Sequence, residues 1–334
     1  MDFYTNVVQW GNFLLVRGVD NNQRVNFRLK YKPTLFVPVM KKTDWKTLDG
    51  KSVTPYQFDC IKDAKDFLLK YESQPHLVHG LNRFAYTYIS DTFPQKVNWN
   101  IDKILIMTID IEVQCENGFP NPESAIEPLL SITVKNQQSK KIIVWGIQPY
   151  KNTREDVTYI RCPNEHDLIM EFMSFWTKNY PDVITGWNTD FFDVPYLANR
   201  IKKVCGEDKM RELSPWKNVS SKQIYSMGRN HLMYDIMGVS QYDYLQLYQK
   251  FTYTRQESYK LDYIASVELG EKKDENPYET FREWYENDFQ SFIDYNIQDV
   301  EIVDKLEDKM GLIDLALTMA YEGKVNYSDV FGQV

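Results

Sequence analysis

The segment Ile104–Val113 constrains this chain more than any other. It reads Ile-Leu-Ile-Met-Thr-Ile-Asp-Ile-Glu-Val, apolar throughout except for Thr108 and two acids set two residues apart near its end. β-Branched residues dominate it, so it is expected to be a strand. Alternate side chains of a strand share a face, which puts Asp110 and Glu112 on one side and Ile109, Ile111 and Val113 on the other. Two carboxylates side by side on a central, apolar strand repel each other and are costly to desolvate. A divalent cation removes that cost, and hard oxygen ligands suit Mg²⁺ or Mn²⁺. Taken alone the pattern also fits a solvated strand edge, since so short a pattern recurs by chance.

The sequence on either side divides in two. Residues 1 to about 103 form a strand-rich unit, with strands expected at Val7–Trp10, Phe13–Val19, Arg24–Leu29, Thr34–Val39 and Phe84–Ile89. Asp20-Asn21-Asn22 supplies turn chemistry, and Asp63–Tyr71 carries apolar residues at helical spacing. Pro94 and the polar stretch Gln95–Asp102 make a boundary. Beyond Ile104 the spacing predicts strands at Leu129–Lys135, Lys141–Ile147 and Val183–Trp187. It predicts helices after Asn164 and over Val194–Val204, Leu261–Leu269 and Phe289–Met310. Strands followed by alternating helix and strand give an α/β unit, a mixed sheet flanked by helices.

Composition narrows the class without deciding it. Aromatics make up 15% of the 334 residues, which excludes global disorder. No apolar run approaches the roughly 20 residues a bilayer span needs, and the opening residues do not read as a signal segment. The four cysteines have no short spacing that suggests a zinc site or a disulfide framework, so a reduced, cytoplasmic setting is expected. The net charge of −8 argues against a nucleic-acid partner only on average. Thirteen acids against four bases lie between Glu271 and Asp308, whereas Leu213–Tyr234 holds Lys217, Lys222, Arg229 and no acid.

Two further motifs carry chemistry. Asn188-Thr189-Asp190-Phe191-Phe192-Asp193 falls where a strand ends and a helix begins, the usual place for ligand groups in open α/β sheets. Either Asp190 or Asp193 could instead be an ordinary helix N-cap. Tyr295-Asn296-Ile297-Gln298-Asp299 places Tyr295 and Asp299 on one helical face, although a core tyrosine beside a solvated Asp would look the same.

In this order the three motifs resemble the 3′→5′ proofreading exonuclease of family B DNA polymerases. Asn117–Pro120, Ser240–Tyr244, Ser258–Tyr263, Asp2–Tyr4 and Tyr88–Thr92 are similar to segments of the T-even bacteriophage members, so the likeness covers nearly the whole chain. The resemblance implies a ribonuclease H-like exonuclease domain over 104–310. It also implies a smaller, strand-rich α+β N-terminal domain over 1–103, completed by about 311–334. Four carboxylates, Asp110, Glu112, Asp193 and Asp299, would hold two divalent cations, Mg²⁺ or Mn²⁺, with Asp190 set aside. Tyr295 would orient the attacking water, in a two-metal hydrolysis of the 3′-terminal phosphodiester that needs no protein nucleophile.

For the substrate, single-stranded DNA or a frayed primer-template 3′ end, the resemblance implies further contacts. Phe119 would stack on the terminal bases, or else be an ordinary core residue. Asn188 would bond near the primer end or only close its turn, and Lys272 or Lys273 would lie near the scissile phosphate. The stretch Trp216–Tyr234, with Lys217, Lys222 and Arg229, would form a hairpin that helps part primer from template, its arms at Ile224–Ser226 and Leu232–Tyr234. Nothing in the chain resembles the catalytic aspartates of a polymerase palm. The expectation is a fragment or split-gene subunit, with a palm, fingers and thumb chain and phage replisome proteins as partners, no membrane, and the cytoplasm of an infected bacterium as setting. The alternative is a nucleic-acid-binding or scaffold module, reading template or mRNA with little nuclease activity.

Overall fold

A computed structural model describes the chain apart from residues 116–117, 227, 272–275 and 333–334, and apart from the side chains of residues 226, 229 and 332. It divides into two compact units, Met1–Lys103 with Thr318–Val334, and Ile104–Leu317.

In the first unit β1 (Phe3–Trp10), β2 (Phe13–Asp20) and β3 (Gln23–Lys30) form an antiparallel sheet in that order. Asn21 and Asn22, at φ 49° and 62°, make the two-residue link between β2 and β3. Two successive left-handed residues give a loop whose twist matches that of the strands, and Asn tolerates that conformation well. A separate hairpin pairs β4 (Thr34–Pro38) with β5 (Val53–Gln57), and α1 (Ile61–Lys70) follows.

The expected strand at Phe84–Ile89 is instead the start of a helix, α2 (Phe84–Thr92). The Tyr31 ring lies 6.4 Å from Phe84 and 6.1 Å from Tyr88. Only a helix puts residues four apart side by side to share one partner. That packing, with Tyr86 Oη donating to Asp329 at 2.8 Å, overrides the strand preference of the aromatic run. The outer edge of β1 is closed by Asn326, whose amide accepts from Val7 N–H at 2.8 Å and donates to Val7 C=O at 2.9 Å. The side chain thus stands in for a neighbouring strand.

The second unit runs β6 (Ile106–Val113), β7 (Leu129–Asn136), β8 (Ile142–Gly146), β9 (Val157–Arg161), α3 (Glu165–Lys178), β10 (Val183–Gly186), α4 (Asp193–Cys205) and α5 (Glu207–Arg211). It continues through β11 (Val219–Ser226), β12 (Arg229–Ile236), β13 (Ser240–Asp243), α6 (Tyr244–Phe251), α7 (Leu261–Leu269), α8 (Phe281–Asn287) and α9 (Phe289–Met310). Two last helices, α10 (Leu312–Gly323) and α11 (Asp329–Gly332), end the chain. Asn164 caps α3 as expected, accepting from the Asp167 amide. The sheet order is β13-β10-β6-β7-β8-β9, mixed, with β6 parallel to β10 and antiparallel to β7. This is the mixed α/β sheet the element order predicted, with β9 and β13 added at its two edges, strands of five and four residues too short to show clear alternation. Among the described residues no helix is long and apolar enough to cross a membrane.

Alternation sorts the two faces. Ile109, Ile111, Ile132 and Val134 pack with Leu168, Phe172, Trp176, Val194 and Leu197 of α3 and α4. On the other face Ile142 and Val144 pack with Phe292, Ile293 and Ile297 of α9, and burying such side chains contributes roughly 1.5–3 kcal/mol each. Beside that apolar stripe α9 covers a polar strip formed by β6 and β7. Asn296 bonds Asp110, Ser131 and Thr133, and Asp304 pairs with Lys135 at 2.8 Å. One helix therefore reads as hydrophobic over β8 and polar over β6, and the polar stripe carries the chemistry.

Candidate active site

Asp110 and Glu112 are partly buried on β6, while Ile109, Ile111 and Val113 are buried on the opposite face, as strand alternation dictates. The β6–β7 pairing slips at Glu112/Val113. Such irregularities re-aim side chains at strand ends. From α9, Asp299 approaches the same point: one carboxylate oxygen from each of Asp110, Glu112 and Asp299 lies within 4.8 Å of the others. Three like charges this close strongly disfavour joint ionisation in the protein alone. The donor set is all hard oxygen, so it fits a divalent cation.

Asp193 sits beside this group rather than within the 4.8 Å cluster. The parallel pairing of β10 with β6 ends at Thr185↔Thr108, so the later amides of β6 need other partners on that edge. Asp193, at the first position of α4 and 3% exposed, accepts the Ile111 N–H through Oδ1 at 3.1 Å. Burial pushes its carboxyl up to about 8, against the pull of the Ile111 and Asp193 amides, and the charges of Asp243 and Asp299 push the same way. A nearby cation would reverse that shift.

Neither Asp190 nor Asp193 caps α4, whose N-cap is Phe192. Asp190 is buried, with Oδ2 accepting from Gln246 at 2.9 Å, and burial together with the Asp243 charge pushes it up to about 8. Asp243, at the end of β13, holds the turn before α4. Its carboxylate accepts from the amides of Asn188 at 2.9 Å, Asp190 at 3.2 Å and Leu245 at 3.0 Å. Burial raises this carboxyl to about 6 and those amides restrain it. Asn188, at φ 64°, therefore closes the turn through its backbone. Gly186 lets the turn lie against β6: a Cβ there would meet the Ile109 carbonyl oxygen and Thr189 Cγ2, both at 2.5 Å.

Tyr295 lies on α9 four residues before Asp299, its ring held edge-on by Trp284 at 4.9 Å and Phe281 at 6.1 Å. Phe119 is no core residue. It is 81% exposed and rests on Phe192 at 4.9 Å, one residue before Asp193. Val219–Ser226 and Arg229–Ile236 form a two-stranded antiparallel hairpin in register Val219↔Ile236 to Ser226↔Arg229. The arms are longer than Ile224–Ser226 and Leu232–Tyr234, because the polar run Val219–Gln223 has no apolar alternation to announce a strand. Lys222 is exposed on the first arm, and Lys217 precedes it, 3.8 Å from Glu212. Arg229 opens the second arm, and Lys272 and Lys273 fall outside the described residues.

Sequence reasoning missed two residues. Asp243 gave no signal of its role, because its three partners come from a turn more than fifty residues away and from its own helix start. Asn296 stands inside the Tyr295–Asp299 motif, and the available signal was its position three residues before Asp299, on nearly the same helical face.

The family model described as DNA polymerase family B, exonuclease domain, matches residues 81–264, which takes in Asp110, Glu112 and Asp193. The chain belongs to DNA polymerase family B. The DNA-directed DNA polymerase of Escherichia phage RB69 is 32% identical over all of this chain, and that of Enterobacteria phage T4 likewise. Both alignments extend through α9, beyond the family match. The chain spans 40% of the length of each. The DNA polymerase delta catalytic subunit of Candida albicans is 28% identical over 54% of the chain. This chain thus carries a family B exonuclease domain, a 3′→5′ exonuclease whose class uses divalent metals, and Asp110, Glu112 and Asp299 form an acidic triad in it. The binding or scaffold alternative is not favoured.

Proposed function

We propose that the chain is the proofreading part of a phage replicative DNA polymerase and removes the 3′-terminal nucleotide of single-stranded or frayed DNA. The single observation that carries this reading is the convergence of Asp110, Glu112 and Asp299 from a strand and a helix joined by the hydrogen bond of Asp110 with Asn296, 186 residues apart in sequence. Asp110, Glu112, Asp299 and Asp193 hold two Mg²⁺ or Mn²⁺ ions. Bound there, divalent cations supply charge neutralisation at the phosphate and lower the pKa of water. The protein groups do the rest by position. Tyr295 accepts or donates at its phenol oxygen to align the attacking water, and the ring packing of Trp284 and Phe281 keeps that oxygen in place. Phe119 stacks on the terminal base, where such contacts are worth about 1–3 kcal/mol per base. Asn188, Lys217, Lys222, Arg229 and Lys272 contact the strand. Template-directed synthesis belongs to a palm, fingers and thumb part, acting with replisome proteins in the cytoplasm of the infected host.

A 5′-labelled oligonucleotide incubated with the chain and Mg²⁺ is expected to shorten from its 3′ end, and a chelator to stop it. Asp110→Ala and Asp299→Ala should each lower the rate about 1,000-fold or more, since several kcal/mol of charge stabilisation are lost at about 1.4 kcal/mol per tenfold. Full digestion by a folded, metal-stripped Asp110→Ala protein would overturn the reading.

A further inference from the structure

We propose that Asn296 is a positioning residue for the cation cluster, orienting the Asp110 carboxylate through an amide that the Ser131 and Thr133 hydroxyls lock in place. This rests on reading Asp110, Glu112 and Asp299 as cation ligands. Asn296, Ser131 and Thr133 are each fully enclosed, at 0% exposure. Asn296 Nδ2 donates to Asp110 Oδ2, and Asn296 Oδ1 accepts from Ser131 Oγ at 3.1 Å and from Thr133 Oγ1. An ionised carboxylate only accepts, so the amide must turn its nitrogen toward Asp110, and the two hydroxyls supply donors to the oxygen. Flipping the amide would set its oxygen against the Asp110 carboxylate oxygen, which is costly.

The register makes this arrangement specific. Thr133 is the cross-strand partner of Asp110, and Ser131 is that of Glu112. The hydroxyl pair therefore stands beside the acid pair, and Asn296 ties both strands to the helix that delivers Asp299. Residues that orient metal ligands in this way typically change metal affinity 10–100-fold when removed.

The test measures Mn²⁺ binding to the whole chain without DNA, by electron paramagnetic resonance or calorimetry, beside melting curves taken in chelator. Asn296→Ala is expected to bind Mn²⁺ at least 10-fold more weakly than wild type. The Ser131→Ala/Thr133→Val double variant, which keeps the amide but frees it to turn, should also bind more weakly. A role in packing alone would lower the melting temperature and leave Mn²⁺ affinity unchanged, and that result in either folded variant overturns the assignment. Should Asn296→Ala not fold, the double variant decides alone. Wild-type protein that binds no Mn²⁺ would overturn the cation reading and this assignment with it, whereas wild-type binding with unchanged variants overturns only the role of Asn296.

Discussion

Burial pushes the carboxyls of single acids around the site above the values they have in water. Asp190 is the cleanest case, since burial and the neighbouring Asp243 push it up to about 8 and it lies outside the acidic triad. An acid whose folded-state pKa exceeds its unfolded value of about 3.9 holds its proton longer in the fold. The unfolded chain then gains ionisation that the fold does not, and stability falls as pH rises through that window. Asp190→Asn should therefore melt at about the wild-type temperature near pH 4 and gain on it steadily up to about pH 8. Parallel melting curves of the two proteins across that range would refute the protonated state. Gly186 makes a steric point at the same scale. Gly186→Ala would drive β10 off the Ile109 carbonyl or displace Thr189, and either shift moves the turn that leads to Asp193.

Helix α9 and the β11–β12 hairpin are the elements on which function turns. Helix α9 is fixed over β6 and β7 by buried polar contacts, among them the ion pair Lys135–Asp304, at 9% and 5% side-chain exposure. Removing one partner from such a pair leaves a charge without compensation and costs about 3–5 kcal/mol. Asp304→Ala strands Lys135, whereas Lys135→Met leaves Asp304 with Lys140 at 2.8 Å. Denaturant midpoints should accordingly show the larger loss for Asp304→Ala; equal losses would assign the seam to packing. For the hairpin, deletion of Lys222–Arg229 should slow excision from duplex ends more than from single strands. Equal slowing on both substrates would count against a part in strand separation.

At the scale of the whole molecule, cation binding and folding are linked, because the unfolded chain does not bring Asp110, Glu112 and Asp299 together. A ligand bound only by the fold stabilises it by about 2.7 kcal/mol at 100 times its dissociation constant. Mn²⁺ should raise the melting temperature of the wild type, and Asp110→Ala should lose most of that rise. A rise of the same size in both proteins would place the ion elsewhere.

Local rules made much of this readable in advance. Strand alternation put Asp110 and Glu112 on one face, Asn164 announced the start of α3, and the period of Phe289–Met310 announced a long helix. Each depends only on neighbours within a few residues, so the chain states them directly. Local rules failed at Phe84–Ile89, where Tyr31 chose helix over strand for an aromatic run with both propensities. They were silent on Asp243 and Asn296, whose meaning lies in amides and hydroxyls contributed by distant segments. The sequence by itself determined which residues could carry charge on which face. Only the tertiary structure decided which of those faces meet, because pairing across 186 residues depends on the sheet order and on where α9 comes to rest.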